Sequence, residues 1–172
     1  MKKTYTILID DREKKPLVFP HYMVMQNPSH PTMHSCKTTV TIATETTRLQ
    51  TADYVLKEHP RCGVVERKGH LSEVANNIFF PPRRRLFLAE LTRLEEKFAS
   101  PLLMLEGSIR TMLNSNHRVG KSSKVSGGII MDCLMRCLSK HNIPLVIIPN
   151  TSLSARQAMG EYVARFLINT AL

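Results

Sequence analysis

Short apolar blocks separated by polar residues run through the first 70 positions, a pattern typical of β-strands. Residues 5–9 alternate and then stop at a charged group, and residues 39–44 carry β-branched side chains in alternation. The blocks 54–56 and 63–66 flank a short polar turn and predict a hairpin. The proline-containing segment 20–38 predicts a long loop between the first two strands.

From Ser72 onward the spacing of apolar residues changes to that of helices. Ser72 opens a predicted helix that runs to about Ile78 and is interrupted by Pro81 and Pro82. Beyond the prolines an amphipathic helix follows, because apolar residues recur at helical spacing at Phe87, Leu91, Leu94 and Phe98. Later segments predict strands at 102–105 and 143–148, helices at 108–113, 129–140 and 154–169, and a mobile basic loop at 114–128.

Strands that alternate with helices after a β-meander indicate an α/β fold. We therefore expect a three-layer domain in which a mixed central sheet is flanked by helices. The 172 residues fit a single domain over 1–172.

The chain is strongly basic, which changes the expected partner. Lysine and arginine number 24 against 14 aspartate and glutamate, giving a formal net charge of +10. Such an excess favours binding to a polyanion, and nucleic acid is the usual one. No apolar stretch reaches membrane-spanning length and no signal peptide is present, so we expect no membrane contact and a cytoplasmic location, or the host nucleus for a viral or eukaryotic source.

Candidate chemistry lies at the end of the strand around 63–68. Side chains alternate along a strand, so Glu66 and Lys68 share one face and Arg67 points to the other. A carboxylate binds a hard divalent cation, and a neighbouring ammonium can polarise water or steady charge on a phosphate. This pair indicates phosphodiester hydrolysis.

Two further acids belong to the same predicted strand ends. Asp10 follows the first strand, and Asp53 directly precedes the hairpin strand at 54–56. The hairpin returns the chain, so Asp53 and Glu66 are expected side by side, as in a metal site.

These residues resemble the motifs of the XPF-type structure-specific endonucleases, a branch of the PD-(D/E)xK nuclease superfamily. The family's Asp-x-Arg-Glu stands as Asp-Asp-Arg-Glu at 10–13, its Gly-Asp-Tyr as Ala-Asp-Tyr at 52–54, and its Glu-Arg-Lys at 66–68. Ala52 replaces the family glycine, which matters if that position needs a positive φ angle. Ser72 stands at the family's last aspartate, where it would serve as a helix cap, whereas Glu73 would have to serve if that aspartate touches metal.

The resemblance implies a mechanism with named roles. Asp53 and Glu66 would hold Mg²⁺ or Mn²⁺ with a backbone carbonyl after Glu66, and Asp10 would shape the acidic cluster or bind the metal directly or through water. Lys68 would orient the attacking water. Glu13, Arg12 and Arg67 are supporting candidates whose alternative role is an ion pair between strands. The candidate catalytic set is Asp10, Glu13, Asp53, Glu66, Arg67 and Lys68.

Basic residues elsewhere form a candidate DNA surface. Three arginines occupy the first turn of the helix after Pro82, where positive charge opposes the helix dipole, so an anionic partner explains them better than local stability. A solvated charge run is the alternative. With the basic segment 114–128, the candidate DNA contacts are Arg12, Arg67, Arg83, Arg84, Arg85, Arg118, Lys121 and Lys124.

The expected function is a divalent-metal-dependent endonuclease acting on branched or flapped DNA in repair, recombination or replication. The alternatives are a junction resolvase or restriction-type nuclease of the same superfamily, and a pseudo-nuclease that binds DNA without cutting. The family's helix-hairpin-helix domain is not expected within these residues. The family's habit of pairing nuclease domains, together with an apolar stripe on the last helix, predicts a homodimer through Met159, Tyr162, Val163 and Phe166.

Overall fold

A seven-stranded mixed sheet organises the chain in the computed structural model, which describes residues 3–27, 36–120, 123–149 and 152–172. The strands are β1 (Lys3–Asp10), β2 (Tyr22–Gln26), β3 (Lys37–Thr47), β4 (Tyr54–Leu56), β5 (Gly63–Lys68), β6 (Ser100–Glu106), β7 (Asn116–Val119), β8 (Ser123–Ser126) and β9 (Leu145–Ile148). The helices are α1 (Leu71–Phe79), α2 (Pro81–Lys97), α3 (Ile109–Asn114), α4 (Gly127–Lys140) and α5 (Leu153–Asn169).

The sheet order is β2-β3-β1-β4-β5-β6-β9. Strand β1 pairs parallel with β3 and antiparallel with β4, and β5, β6 and β9 run parallel to one another. Strands β7 and β8 form a separate two-stranded hairpin. Within the described residues no helix is both long and apolar enough to cross a membrane.

Helices cover both faces of the sheet and create two hydrophobic cores. Helix α5 packs on one face, where Met159 and Val163 meet the inward residues of the strands. Helices α1, α2 and α4 pack on the other face, around Leu91 and Leu134. The continuous apolar run of β6 follows from this, because a strand covered on both faces buries every side chain. The predicted three-layer α/β fold is confirmed.

The prediction of a loop was wrong for two segments. Each contains strands whose residues do not alternate clearly between apolar and polar. The segment 20–38 contains the edge strand β2, in which Met23 and Met25 are buried and Tyr22 and Val24 are exposed. All four of these residues are apolar, so no alternation is visible in the sequence. Residues 28–35 lie outside the described part of the chain.

The other wrong loop is the basic segment 114–128, which contains the β7–β8 hairpin and the start of α4. These strands could not be recognised from the sequence because the segment is polar. Hydrogen bonds to α1 fix the position of the hairpin. The Asn76 side-chain amide donates to the Arg118 carbonyl at 3.5 Å and accepts from the Gly120 amide at 3.3 Å. Val119, the last residue of β7, is buried in the hydrophobic core that α1, α2 and α4 form.

Candidate active site

Three neighbouring strands of the sheet bring the predicted acids to one region. The Asp10 amide donates to the Asp53 carbonyl at 2.9 Å, and the Asp53 amide donates to the Val65 carbonyl at 3.1 Å. The Asp53 carboxylate accepts from the Arg67 amide at 2.7 Å through Oδ2. The β4–β5 hairpin therefore sets Asp53 beside the end of β5, where Glu66 lies.

Glu66 and Lys68 are buried on the same face of β5 and form an ion pair. Lys68 Nζ donates to Glu66 Oε1 at 2.5 Å. The ammonium also lies 3.5 Å from Glu90 Oε2 and 3.9 Å from Glu73 Oε1, and the ring centroid of Phe87 is 5.9 Å away. Lys68 is thus enclosed by carboxylates from β5, α1 and α2.

Arg67 points to the opposite face and links separate parts of the fold. Its guanidinium pairs with Glu106 at the end of β6 and with Glu13 at 2.8 Å, and it donates to the Lys15 carbonyl at 3.1 Å. The side chain is only 7% exposed, which favours the strand-linking role over direct DNA contact. Glu106 was missed as a site residue, since its partner comes from a different strand.

Asp10 lies beside the cleft, and both of its carboxylate oxygens are engaged. Arg12 Nε donates to Oδ1 at 2.7 Å and a second Arg12 nitrogen donates to Oδ2 at 2.8 Å, while the Leu49 amide donates to Oδ2 at 3.0 Å. The Arg12 hydrogen bonds hold the pKa of the Asp10 carboxyl below its usual range. This arrangement favours a supporting role for Asp10.

A cleft of about 700 Å³ collects the other candidate catalytic residues. It lies above the ends of the strands, and its rim is basic while its floor is acidic. The cleft is lined by Arg12, Glu13, Lys14, Lys15, Asp53, Glu66, Arg67, Lys68, Gly69, His70, Glu73, Arg83 and Glu106.

Burial makes this floor unfavourable for negative charge. It raises the pKa of Asp53 to about 6, which the Arg67 amide and the charge of Lys68 offset only in part. Burial likewise raises the pKa of Glu66 well above its usual range. Burial alone would lower the pKa of Lys68, but the negative charges of Glu66 and Glu90 outweigh this effect. The pKa of Lys68 is therefore raised, and its side chain stays protonated. An added cation would relieve the excess of buried acid.

The donor set suits a hard divalent cation. Asp53 and Glu66 each use one carboxylate oxygen in the contacts above, and carboxylate oxygen is the ligand that Mg²⁺ and Mn²⁺ prefer. Across the residues that the structure describes, no group of three or more acidic, histidine or cysteine side chains surrounds a single ion position. A cation here would complete its coordination with backbone carbonyl, water or phosphate oxygens, as Mg²⁺ commonly does.

The two departures from the family motifs have distinct structural outcomes. Ala52 has a φ angle of 71°, so this turn does require the left-handed conformation that glycine adopts easily. Ser72 is not the cap of α1, because His70 occupies that position and its ring accepts from the Glu73 amide at 3.1 Å. Ser72 instead contacts His70 at 2.7 Å, and Glu73 faces the cleft.

Helix α2 contributes Glu90, which sequence reasoning missed. The residue follows Phe87 by three positions and precedes Leu91, so it lies at the edge of the apolar stripe. The one sign of Glu90 in the sequence is that a charged residue stands at the boundary of the apolar stripe. Its proximity to Lys68 depends on how α2 packs and could not be read from local pattern.

The candidate DNA contacts separate into three places. Arg83 lines the cleft, whereas Arg84 and Arg85 line a depression with Ile78 and Phe79 on another side of the α1–α2 junction. Arg118 and Lys124 are exposed and directly opposite each other in the β7–β8 hairpin. Lys121 lies outside the described residues.

Comparisons with known proteins bear on the fold. No family model matches the amino-acid sequence, and no curated protein matches it. One solved structure of XPF from Aeropyrum pernix superposes with a TM-score of 0.58 at 16% identity, over 97% of this chain and 62% of that chain. The chain has the fold of the XPF-type nuclease domain. A second structure, XPF from Aeropyrum pernix in complex with DNA, gives a TM-score of 0.55 at 18% identity, over 96% of this chain and 66% of that chain.

This likeness to XPF confirms the fold that the sequence motifs implied. The chain spans less than two thirds of either XPF chain, and at such identities the similarity carries the architecture alone. The activity must therefore be inferred from the residues of the cleft.

Proposed function

We propose that this chain is a divalent-metal-dependent DNA endonuclease that hydrolyses phosphodiester bonds, preferentially in branched or flapped DNA. The observation that carries the proposal is the half-buried Asp53 next to the buried Glu66, with the Lys68 ammonium held 2.5 Å from Glu66. A net charge of +10 and the basic rim of the cleft support an anionic polymer as substrate. One of the similar XPF structures is a complex with DNA, which agrees with this substrate class.

Asp53 and Glu66 would hold Mg²⁺ or Mn²⁺, which when bound supplies positive charge to the phosphate and to the leaving oxygen. Lys68 lies on the same side of β5 as Glu66, so its ammonium can orient the attacking water or donate to a phosphate oxygen. The water oxygen bonds to phosphorus and gives up a proton to solvent, the bond to the leaving oxygen breaks, and that oxygen takes up a proton. Two ion pairs would support this arrangement. The Arg67–Glu13 pair at 2.8 Å joins β5 to the segment after β1. The Arg12–Asp10 pair at 2.7 Å is local, and Arg12 also donates to the Leu49 carbonyl at 2.9 Å.

A preference for branched DNA is supported by the distribution of positive charge. Arg83 lies at the cleft, and the hairpin bearing Arg118 and Lys124 is attached to α1, which also borders the cleft through Glu73. Cations at separated places suit a substrate whose arms diverge. A junction resolvase or restriction-type nuclease would use the same catalytic group on a different DNA form.

A pseudo-nuclease that binds DNA without cutting is the other alternative. The retention of Asp53, Glu66 and Lys68 together in one cleft favours cutting. If the chain were such a pseudo-nuclease, it would bind DNA under every metal condition and release no product.

The test is a cleavage assay on labelled flap, fork, nicked-junction and linear DNA with Mg²⁺ or Mn²⁺. Cleavage is expected to disappear with chelator and in Asp53→Asn and Glu66→Gln, because each substitution removes a charged oxygen donor, while the circular dichroism spectrum is unchanged. Asp132→Asn, an exposed acid on α4, is the matched control and should cut normally. Full activity in Glu66→Gln, or in the presence of chelator, would contradict the proposal.

A further inference from the structure

Lys68 has a second carboxylate partner that none of the family motifs includes. Glu90 Oε2 lies 3.5 Å from Lys68 Nζ and belongs to α2, which is separate in sequence from β5. The Lys68 side chain is 7% exposed and that of Glu90 is 24% exposed, so water screens the contact only weakly. The contact therefore has the geometry of a partly buried ion pair.

Lys68 needs a second carboxylate partner because Glu66 is proposed to bind the metal ion. A lysine ammonium has three hydrogen-bond donors and no acceptor. Its closest partner, Glu66 at 2.5 Å, would share its negative charge with a cation once one bound. A buried ammonium beside a cation then requires another anion, since an uncompensated buried charge is strongly unfavourable.

Glu90 fits this need better than Glu73. The Glu73 carboxylate is 3.9 Å from Lys68 at its nearer oxygen, and its other oxygen accepts from the Gly69 amide at 3.2 Å. Within the described part of the chain, Lys68 is the one ion-pair partner of Glu90. Phe87, one helical turn earlier, closes the same side of the ammonium with its ring.

We propose that Glu90 is a positioning residue that holds the Lys68 ammonium in place when Glu66 is engaged with the cation. The inference rests on the proposed nuclease function and assigns α2 a part in it. Glu90 acts through Lys68 and does not touch the substrate.

The first test is a double-mutant cycle on single-turnover cleavage, with Glu90→Gln, Lys68→Ala and the combined variant. Glu90→Gln should slow cleavage roughly 10- to 100-fold, the order seen when a reacting group is slightly misplaced, and should leave DNA affinity unchanged. In the Lys68→Ala background the same substitution should have no further effect. Glu96→Gln, an exposed acid on the same helix, is the matched control and should behave as wild type.

A second test reads the pair without activity, by thermal melting of the four proteins of the cycle in chelator. With Lys68 present, Glu90→Gln removes an ion-pair partner, whereas in Lys68→Ala it relieves repulsion between acids and should raise the melting temperature. A favourable coupling between the two residues supports the inference, and zero coupling overturns it.

The two proposals fail in different ways. If the wild-type protein cuts none of the DNA forms, the proposed function is wrong, and the melting cycle still decides whether Glu90 holds Lys68. If the wild-type protein cuts and Glu90→Gln cuts equally well, the role of Glu90 is overturned while the nuclease function stands. A reduction in rate that persists in the Lys68→Ala background also overturns it.

Discussion

Asp53 is a residue whose chemistry depends on the fold, because burial raises its pKa from 3.8 to about 6. The folded chain therefore holds a proton that the unfolded chain releases at lower pH. The contribution of Asp53 to the free energy of unfolding of the metal-free protein should fall as pH rises from about 4 to about 6, by roughly 3 kcal/mol at most, and the raised pKa of Glu66 acts in the same direction. Asp10, whose pKa is lowered, acts in the opposite sense, losing its stabilising contribution as pH falls below its unfolded value.

We predict that Asp53→Asn reduces this decrease in stability between pH 4 and pH 6, leaving the part that Glu66 causes, and raises the melting temperature of the metal-free protein at pH 7. Amide nitrogen and oxygen carry no charge, so the desolvation cost disappears. Thermal melts in chelator at several pH values measure the difference from wild type. Asp132→Asn serves as the control on α4 and should keep the wild-type pH dependence; if Asp53→Asn keeps it too, Asp53 is not the titrating group.

At Ala52 the cost of a left-handed backbone is set against the stability gained by burying a methyl group. A left-handed conformation costs a non-glycine residue roughly 1 to 2 kcal/mol. The methyl group is buried in the core beneath α1 and α2, which contributes about 0.8 kcal/mol in return. Alanine is therefore tolerated where the family has glycine, and the turn still delivers Asp53 to β5.

At the scale of the elements, the parts of the site that lie within one hairpin were predictable from sequence. Glu66 and Lys68 share a face because strands have a period of two, and Asp53 returns to them through the β4–β5 turn. Glu90 and Glu106 were not predictable as site residues, since α2 and β6 reach the cleft by tertiary packing. Local sequence pattern carries no information about such contacts.

The first turn of α2 separates three arginines that look equivalent in the sequence. Pro81 occupies the first position of α2, where proline is favoured. The two prolines therefore begin α2 as well as ending the preceding helix. Successive residues on a helix point in different directions, so Arg83 faces the cleft while Arg84 and Arg85 face the depression at Ile78. This difference makes a controlled test of DNA contact available.

We predict that Arg83→Ala weakens binding to all DNA forms, and that it flattens the slope of log affinity against log salt by about 0.9 for each duplex phosphate that the variant no longer neutralises. Arg85→Ala, on the same turn but outside the cleft, is the matched control and should change neither quantity appreciably. Fluorescence anisotropy on linear and forked duplexes across a salt series measures both. Equal effects of the two substitutions would mean that long-range charge attracts the DNA and that Arg83 makes no specific contact.

For the whole molecule, fold class was predictable but strand order was not. Alternating strands and helices indicate a covered sheet, and the doubly buried run of β6 agrees with helices on both faces. The parallel pairing of β1 with β3 and the place of β2 at the edge depend on contacts between distant parts of the chain. The alternation of apolar and polar residues along a strand determines which of its faces is buried, but it does not determine which strand pairs with it.

The homodimer stays a prediction, and the structure changes which residues can form it. Met159 and Val163 are buried in the chain's own core and Phe166 packs partly against it, whereas Tyr162 is 42% exposed. A dimer through α5 would therefore use Tyr162 and its exposed neighbours. Such an interface would be disrupted when a charge replaces this aromatic ring, because burying an unpaired carboxylate is unfavourable.

We predict that light scattering at micromolar concentration reports twice the chain mass of 19.6 kDa, and that Tyr162→Glu reduces it to the single-chain mass with little change in melting temperature. Met159→Glu is the contrasting variant: it places a charge in the core and should lower the melting temperature sharply, because a buried carboxylate without a partner destabilises the fold itself. A wild-type protein of 19.6 kDa that still discriminates among branched substrates would contradict the dimer and would locate DNA selectivity within one cleft and its rim.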